Sequence, residues 1–152
     1  MPTLNYYLNA LGRCGNLFRS HRLQGTGVDS GDMPYLFRVC RHPGETQDAI
    51  GKALYVHKCR VTRHITRLET QGYLSRTPDP KDKRALLVYP TQKALDLLPL
   101  LREVNAAFQA ALSADFTEQE SEQFLSLLSR ALQNARLAVD GEELLLGKEE
   151  EK

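Results

Sequence analysis

Residues 46–72, TQDAIGKALYVHKCRVTRHITRLETQG, carry two helical periods back to back, and this stretch limits what the rest of the chain can build. Thr46 has a hydroxyl suited to accept from the N–H groups of a first helical turn. After it, Ala49, Ile50, Ala53 and Leu54 fall on one face. Tyr55-Val56-His57 breaks the period, and a second helix is expected from about Lys58 to Gln71, with Gly72 just past its end. In that helix Val61, Ile65 and Leu68 recur at i, i+4 and i+7, one buried stripe.

The opposite side is cationic. With Val61 at zero and about 100° per residue, Arg63, Arg67 and Arg60 lie at about 200°, 240° and 260°. No acid falls between Lys58 and Leu68. A helix face kept only for solubility interleaves both signs, because i, i+4 pairs stabilise it. An arginine ridge without acids repels itself and points to an anionic partner. Two helices joined by a short turn, the second basic outside, describe a helix-turn-helix that enters a major groove. Arg60, Arg63 and Arg67 are the expected base-reading face. Lys58, Cys59, Thr62, His64 and Thr66 flank it, as phosphate contacts or neutral neighbours.

A hairpin is expected next. Tyr73–Thr77 and Arg84–Tyr89 read as strands around a charged, proline-containing tip, Pro78-Asp79-Pro80-Lys81-Asp82-Lys83. Lys81 and Lys83 make this wing basic. Arg84, placed at its base, is the side chain that narrow minor grooves attract. Asp82 either orients Arg84 or caps its own turn.

Charge is segregated along the chain. From Lys52 to Lys93 there are ten Lys or Arg against three acids, a local net charge of +7, whereas Asp115 to Lys152 carries −6. A basic middle with an acidic end separates a nucleic-acid face from the remainder.

The run resembles the MarR family of winged-helix regulators. The residues that carry the resemblance are Thr46-Gln47, Val61-Thr62-Arg63, Arg67-Leu68-Glu69, Gly72-Tyr73-Leu74, Arg76, Asp79, Asp82, Arg84 and Pro90-Thr91. Asp82-Lys83-Arg84 supplies the Asp-x-Arg that family members commonly carry in the wing. The resemblance implies a DNA-binding repressor that pairs through helices from both chain ends. It also implies an effector, a small phenolic or aromatic molecule lodged between the helical lobe and the DNA lobe.

The flanking segments fit that plan. Leu4 to Arg22 reads as a helix in which Gly12 and Gly15 either permit close approach of a neighbour or merely soften it. Gln24 to Asp32 reads as a loop, and Met33 to Arg41 as a second helix. Thr91 caps a long helix to about Leu112, with Pro99 expected to bend it. Thr117-Glu118-Gln119-Glu120 is a capping box for a last helix to about Val139.

The fold class expected is therefore mainly α with a small β-hairpin wing. A winged helix-turn-helix lobe spans 33–93, and 1–23 with 94–140 form a helical dimerisation lobe. An acidic tail, 141–152, is expected to fray. The terminal helices hold more apolar surface than a lobe of that size can cover, so a second copy is expected. A two-fold pair would set its recognition helices roughly 34 Å apart on a near-palindromic operator.

Several classes are disfavoured. No apolar run reaches a membrane span, and the start is not a signal peptide. Cys14, Cys40 and Cys59 are odd in number and widely spaced, which fits a reducing cytoplasm. The histidines complete no metal set, no cofactor is implied and no enzyme motif is present. Two alternatives stay open. One comes from the resemblance, since some MarR-like proteins sense peroxides through an early-helix cysteine bonded to tyrosines: Cys14 with Tyr6, Tyr7 and Tyr35. The other is a winged-helix module that meets an acidic protein instead of DNA.

Overall fold

The first helix starts where Thr3 accepts from the Tyr6 N–H, and the chain then runs through six helices and a small antiparallel sheet. This computed structural model describes residues 1–150, with side chains through 142. In order the elements are α1 (Leu4–Arg22), α2 (Met33–Arg41), β1 (Glu45–Thr46), α3 (Gln47–Leu54), α4 (Lys58–Thr70), β2 (Leu74–Pro78), β3 (Leu86–Pro90), α5 (Gln92–Leu112) and α6 (Glu118–Glu150). The backbone groups into two units, Met1–Gln109 and Ala110–Lys152.

In the first unit the core gathers the stripe side chains of each helix. Leu36 and Val39 of α2, Ile50 of α3, Val61, Ile65 and Leu68 of α4, and Leu101 and Val104 of α5 are buried together, with Leu74 and Val88 from the sheet. The expected stripe of α4 is thus the inner face of that helix. The α3–α4 turn closes on Tyr55, which takes a left-handed conformation at φ 55°. Gly51 lets the two helices cross, because a Cβ there would stand 3.1 Å from both Val56 O and Val61 Cγ2. Close approach also explains Gly15, where a Cβ would meet the Phe108 ring of α5 at 3.0 Å. Gly12 has nothing within 4 Å.

The sheet order is β1-β3-β2. β2 and β3 pair from Leu74↔Pro90 to Pro78↔Leu86, and β1 adds Glu45↔Val88 and Thr46↔Leu87. Two residues are too few to show an alternating pattern, so β1 was not legible as a strand. The hairpin also sits in a different place from the one its sequence suggests: Pro78 belongs to β2, while Arg84 lies in the turn before β3. The cause is local. The Asp79 N–H donates to Ala85 O at 2.9 Å, so Asp79 to Ala85 form the tip and the strands begin beyond it.

In the second unit α6 opens on the expected capping box: Glu120 N–H donates to Thr117 Oγ1 at 3.2 Å, and Thr117 N–H to Glu120 Oε2 at 2.8 Å. Those bonds hold the Glu120 carboxyl below its ordinary value. Phe116 packs edge-on against Phe124, ring centroids 5.7 Å apart. α6 continues past Val139 to Glu150. Residues 151–152 and the side chains of Leu144-Leu145-Leu146 lie outside the described residues. None of the described helices is long and apolar enough to cross a membrane.

Candidate nucleic-acid interface

α4 turns its buried stripe to the core and leaves Lys58, Cys59, Arg60, Thr62, Arg63 and Thr66 exposed on the other side. Arg60 and Arg63 stand outward, and their charges reach the α2–α4 seam. There, burial pushes the Tyr35 phenol up, while the two guanidinium groups pull it down. Lys58 is held only loosely, 3.8 Å from the exposed Asp48 carboxylate. Thr62 donates to Lys58 O one turn back and accepts from Gln47 Nε2, so its one O–H donor is used within the protein. The wing presents Lys81, Asp82, Lys83 and Arg84, all exposed. Asp82 accepts the Arg84 backbone N–H at 3.0 Å, so it caps the turn that carries Arg84. Asp79 does the same for Lys81.

Two side chains read as outward are paired within the chain, Arg67 with 41% of its side chain still exposed and His64 with 15%. Arg67 pairs with Asp29, lies 3.2 Å from Asp32 Oδ2 and donates to Gly27 O. His64 Nδ1 lies 2.8 Å from Asp32 Oδ1, and its ring stacks on Tyr35 with centroids 4.6 Å apart. Their partners sit more than thirty residues upstream in a Gly/Asp-rich loop, a distance at which helical periodicity carries no signal.

A second group ties the start of α3 to the C-terminal end of α4. Arg76 of β2 forks onto Glu69 at 3.1 and 3.0 Å, and its remaining arm donates to Gln47 Oε1 at 3.1 Å. The one acid of α4 is thereby neutralised, and α3, α4 and β2 are joined through a single guanidinium group. The same end of α4 is also fastened by Lys93, which donates to Gln71 O at 2.7 Å and sits over the Tyr73 ring.

The Arg76 hydrogen bonds hold Glu69 below its ordinary carboxyl value, against a smaller opposing effect of burial. A carboxyl whose folded pKa is lowered adds stability in full above the unfolded value of 4.5 and loses it as pH falls through the folded one. Glu69→Gln should therefore lower the melting temperature at neutral pH, with the gap to wild type closing below about pH 4.5. The Glu69 side chain is 39% exposed, so solvent screening keeps the loss within about 1 kcal/mol. Thermal melts of both proteins between pH 3 and 7 measure it.

The cysteines sit apart. Cys14 and Cys59 are exposed. No hydrogen bond among the described residues joins Cys14 to Tyr6, Tyr7 or Tyr35; Tyr6 and Tyr7 pack on each other and Tyr35 on His64. Burial pushes the Cys40 thiol up, with Arg102 opposing. Cys40 lines a cavity of about 360 Å³ between α2 and α5, together with Phe37, Arg41, Leu98 and Arg102. Among the described residues no group of three or more His, Cys, Asp or Glu is placed to hold a metal.

Known proteins share this fold. Residues 31–86 match the model of the MarR family. The HTH-type transcriptional regulator YybA of Bacillus subtilis (strain 168), itself uncharacterised, is 34% identical over 105 residues, which cover 68% of this chain and 69% of the relative. A crystal structure of MarR superposes with a TM-score of 0.84 at 27% identity, covering 93% of this chain and 95% of that one. A MarR family regulator from Listeria monocytogenes, crystallised with 26mer DNA, has the same fold: TM-score 0.80 at 23% identity, covering 90% and 91% of the two chains.

Proposed function

Since the chain belongs to the MarR family of DNA-binding transcriptional regulators, and is not an enzyme, we propose that it is a homodimeric, ligand-responsive repressor of a near-palindromic operator. The observation that carries the reading is the pair Arg60 and Arg63, exposed on the side of α4 opposite Val61, Ile65 and Leu68. Phosphate contacts from Lys58, Lys81 and Lys83 supply affinity without sequence preference, and log K falls with log salt at about −0.9 per phosphate neutralised. Base edges met by Arg60 and Arg63 supply about 1–3 kcal/mol of discrimination each. Arg84, on the capped turn of the wing, reaches the adjacent minor groove. Support comes from the Listeria relative, whose fold this chain shares and which was crystallised on DNA. A gel shift on duplexes selected from a random pool tests the reading; affinity equal to that of scrambled duplex defeats it.

The partner is a second copy. α1 exposes Leu4, Tyr6, Tyr7, Leu8 and Leu11, and α6 exposes Phe124, Leu125, Leu127, Leu128, Leu132 and Leu137. Apolar surface of that extent marks each of these helices as part of an interaction surface.

The effector reading rests on the α2–α5 cavity. Its size suits a small ring. Phe37 and Leu98 offer apolar walls and Arg41 and Arg102 offer charge, a combination that favours an aromatic carboxylate. Such a ligand acts only through its differential affinity for the DNA-competent and DNA-incompetent dimers. With benzoate as probe, wild type should release operator at millimolar ligand. Arg102→Ala should need at least about tenfold more, the cost of one charge-assisted bond. Unchanged benzoate sensitivity in Arg102→Ala moves the effector elsewhere.

A further inference from the structure

The junction between α4 and the loop ahead of α2 is not used by the reading above. Asp32 is the one charged side chain fully buried among the described residues. A buried carboxylate persists only if its oxygens are satisfied, and each one is. Oδ2 accepts the Asp29 N–H at 3.0 Å and lies 3.2 Å from Arg67 Nη2; Oδ1 faces His64 Nδ1 at 2.8 Å. Asp29 takes the other arm of Arg67 on Oδ2. Its Oδ1 accepts the N–H groups of Gly31 and Asp32, which fixes the loop that presents it. The Asp32 carbonyl in turn accepts the Leu36 N–H, so the junction is continuous with the first turn of α2.

Residues three and four apart share a ridge on a helix. Arg60, Arg63 and Arg67 are such a set, so the fastening of Arg67 adds to the buried stripe of Val61, Ile65 and Leu68 in holding the rotation of α4 about its axis. It thereby helps to set the direction in which Arg60 and Arg63 point. His64, one residue along from Arg63, adds a second fastening on the seam. We propose that Asp29 and Asp32 form an acidic saddle that seats α4 through Arg67 and His64. Arg67 is then a positioning residue that sets operator preference, not a DNA contact. The inference rests on α4 being the DNA-reading helix.

Simple electrostatics predicts the opposite sign, and that makes the test decisive. If Arg67 were a phosphate contact held back by acids, Asp29→Asn would free it and remove a repelling charge, tightening binding to every duplex. Asparagine keeps the Oδ1 that caps the loop but sets an NH2 donor, with no charge and no lone pair, where the Oδ2 acceptor faced Arg67. Arg67→Lys keeps the charge but cannot fork across two carboxylates. Affinities of both variants for the selected operator and for scrambled duplex are measured across a salt series, with Arg63→Ala alongside. The saddle predicts that both variants lose at least tenfold in operator preference, with scrambled-duplex affinity and salt slope as in wild type. Loss of folded protein would lower both affinities together, and circular dichroism melts monitor it. Asp29→Asn binding both duplexes more tightly, or Arg67→Lys keeping full preference, overturns the saddle. Should Arg63→Ala also keep full preference, the fault lies in the reading of α4 itself.

Discussion

Arg63→Ala will weaken operator binding by about 10- to 100-fold, the cost of one good base contact at about 1–3 kcal/mol, and will leave the fold intact. The second half of that expectation is as important as the first. Arg63 is exposed, while the stability of α4 is carried on its other side by Val61, Ile65 and Leu68, which are 1%, 0% and 0% exposed. Truncating a solvent-facing arginine removes no core contact. A lost base contact must also act unevenly: operator affinity falls, and affinity for scrambled duplex falls only by the phosphate contribution. Arg84→Ala belongs to the same test. Its effect should be largest on operators with A·T-rich flanks, where the minor groove is narrow. Arg63→Ala with undiminished operator preference would remove α4 from the account.

Replacing Leu128 and Leu132 together by aspartate should convert the protein from dimer to monomer and abolish operator binding. Both leucines stand out from α6, 39% and 53% exposed in the single chain, and Phe124 and Leu125 lie a turn earlier. A long helix bearing such a stripe is not stable in water without a covering surface. Each leucine buried in a pair contributes about 2–5 kcal/mol, and a carboxylate in its place adds a desolvation cost. A rise of at least about a thousandfold in the dimer dissociation constant follows. Since each copy reads half of the operator, the monomer should keep only weak binding to non-specific duplex. Sedimentation equilibrium gives the mass directly; a double variant that stays dimeric places the interface elsewhere.

The parts of this molecule that could be read from sequence are those governed by local rules. The α4 stripe, the Thr46 cap, the Thr117–Glu120 box and the break at Tyr55 each depend on neighbours within a turn or two, and each is present in the structure. What escaped depends on partners far along the chain. Nothing in the period of α4 separates Arg67 from Arg63, because the difference lies in Asp29 and Asp32. The loop that holds them reads as Gly/Asp-rich and therefore as connection only. Two aspartates three apart, just ahead of a helix, were the available signal. Gln47 and Arg76 were visible as family residues, but their joint grip on Glu69 and Thr62 needed coordinates. Arg84 shifted from the base of the wing to its tip because the turn hydrogen bonds of Asp79 and Asp82 decide where the strands begin.

The central claim is that two copies of α4 present outward arginines to successive turns of one duplex. Hydroxyl-radical footprinting on a selected operator measures that most directly. The account predicts two protected patches related by a two-fold axis, with centres about one helical turn apart, roughly 10 base pairs. Both should vanish together in the Leu128→Asp/Leu132→Asp variant. A single protected patch, or protection that survives in the monomer, would contradict it.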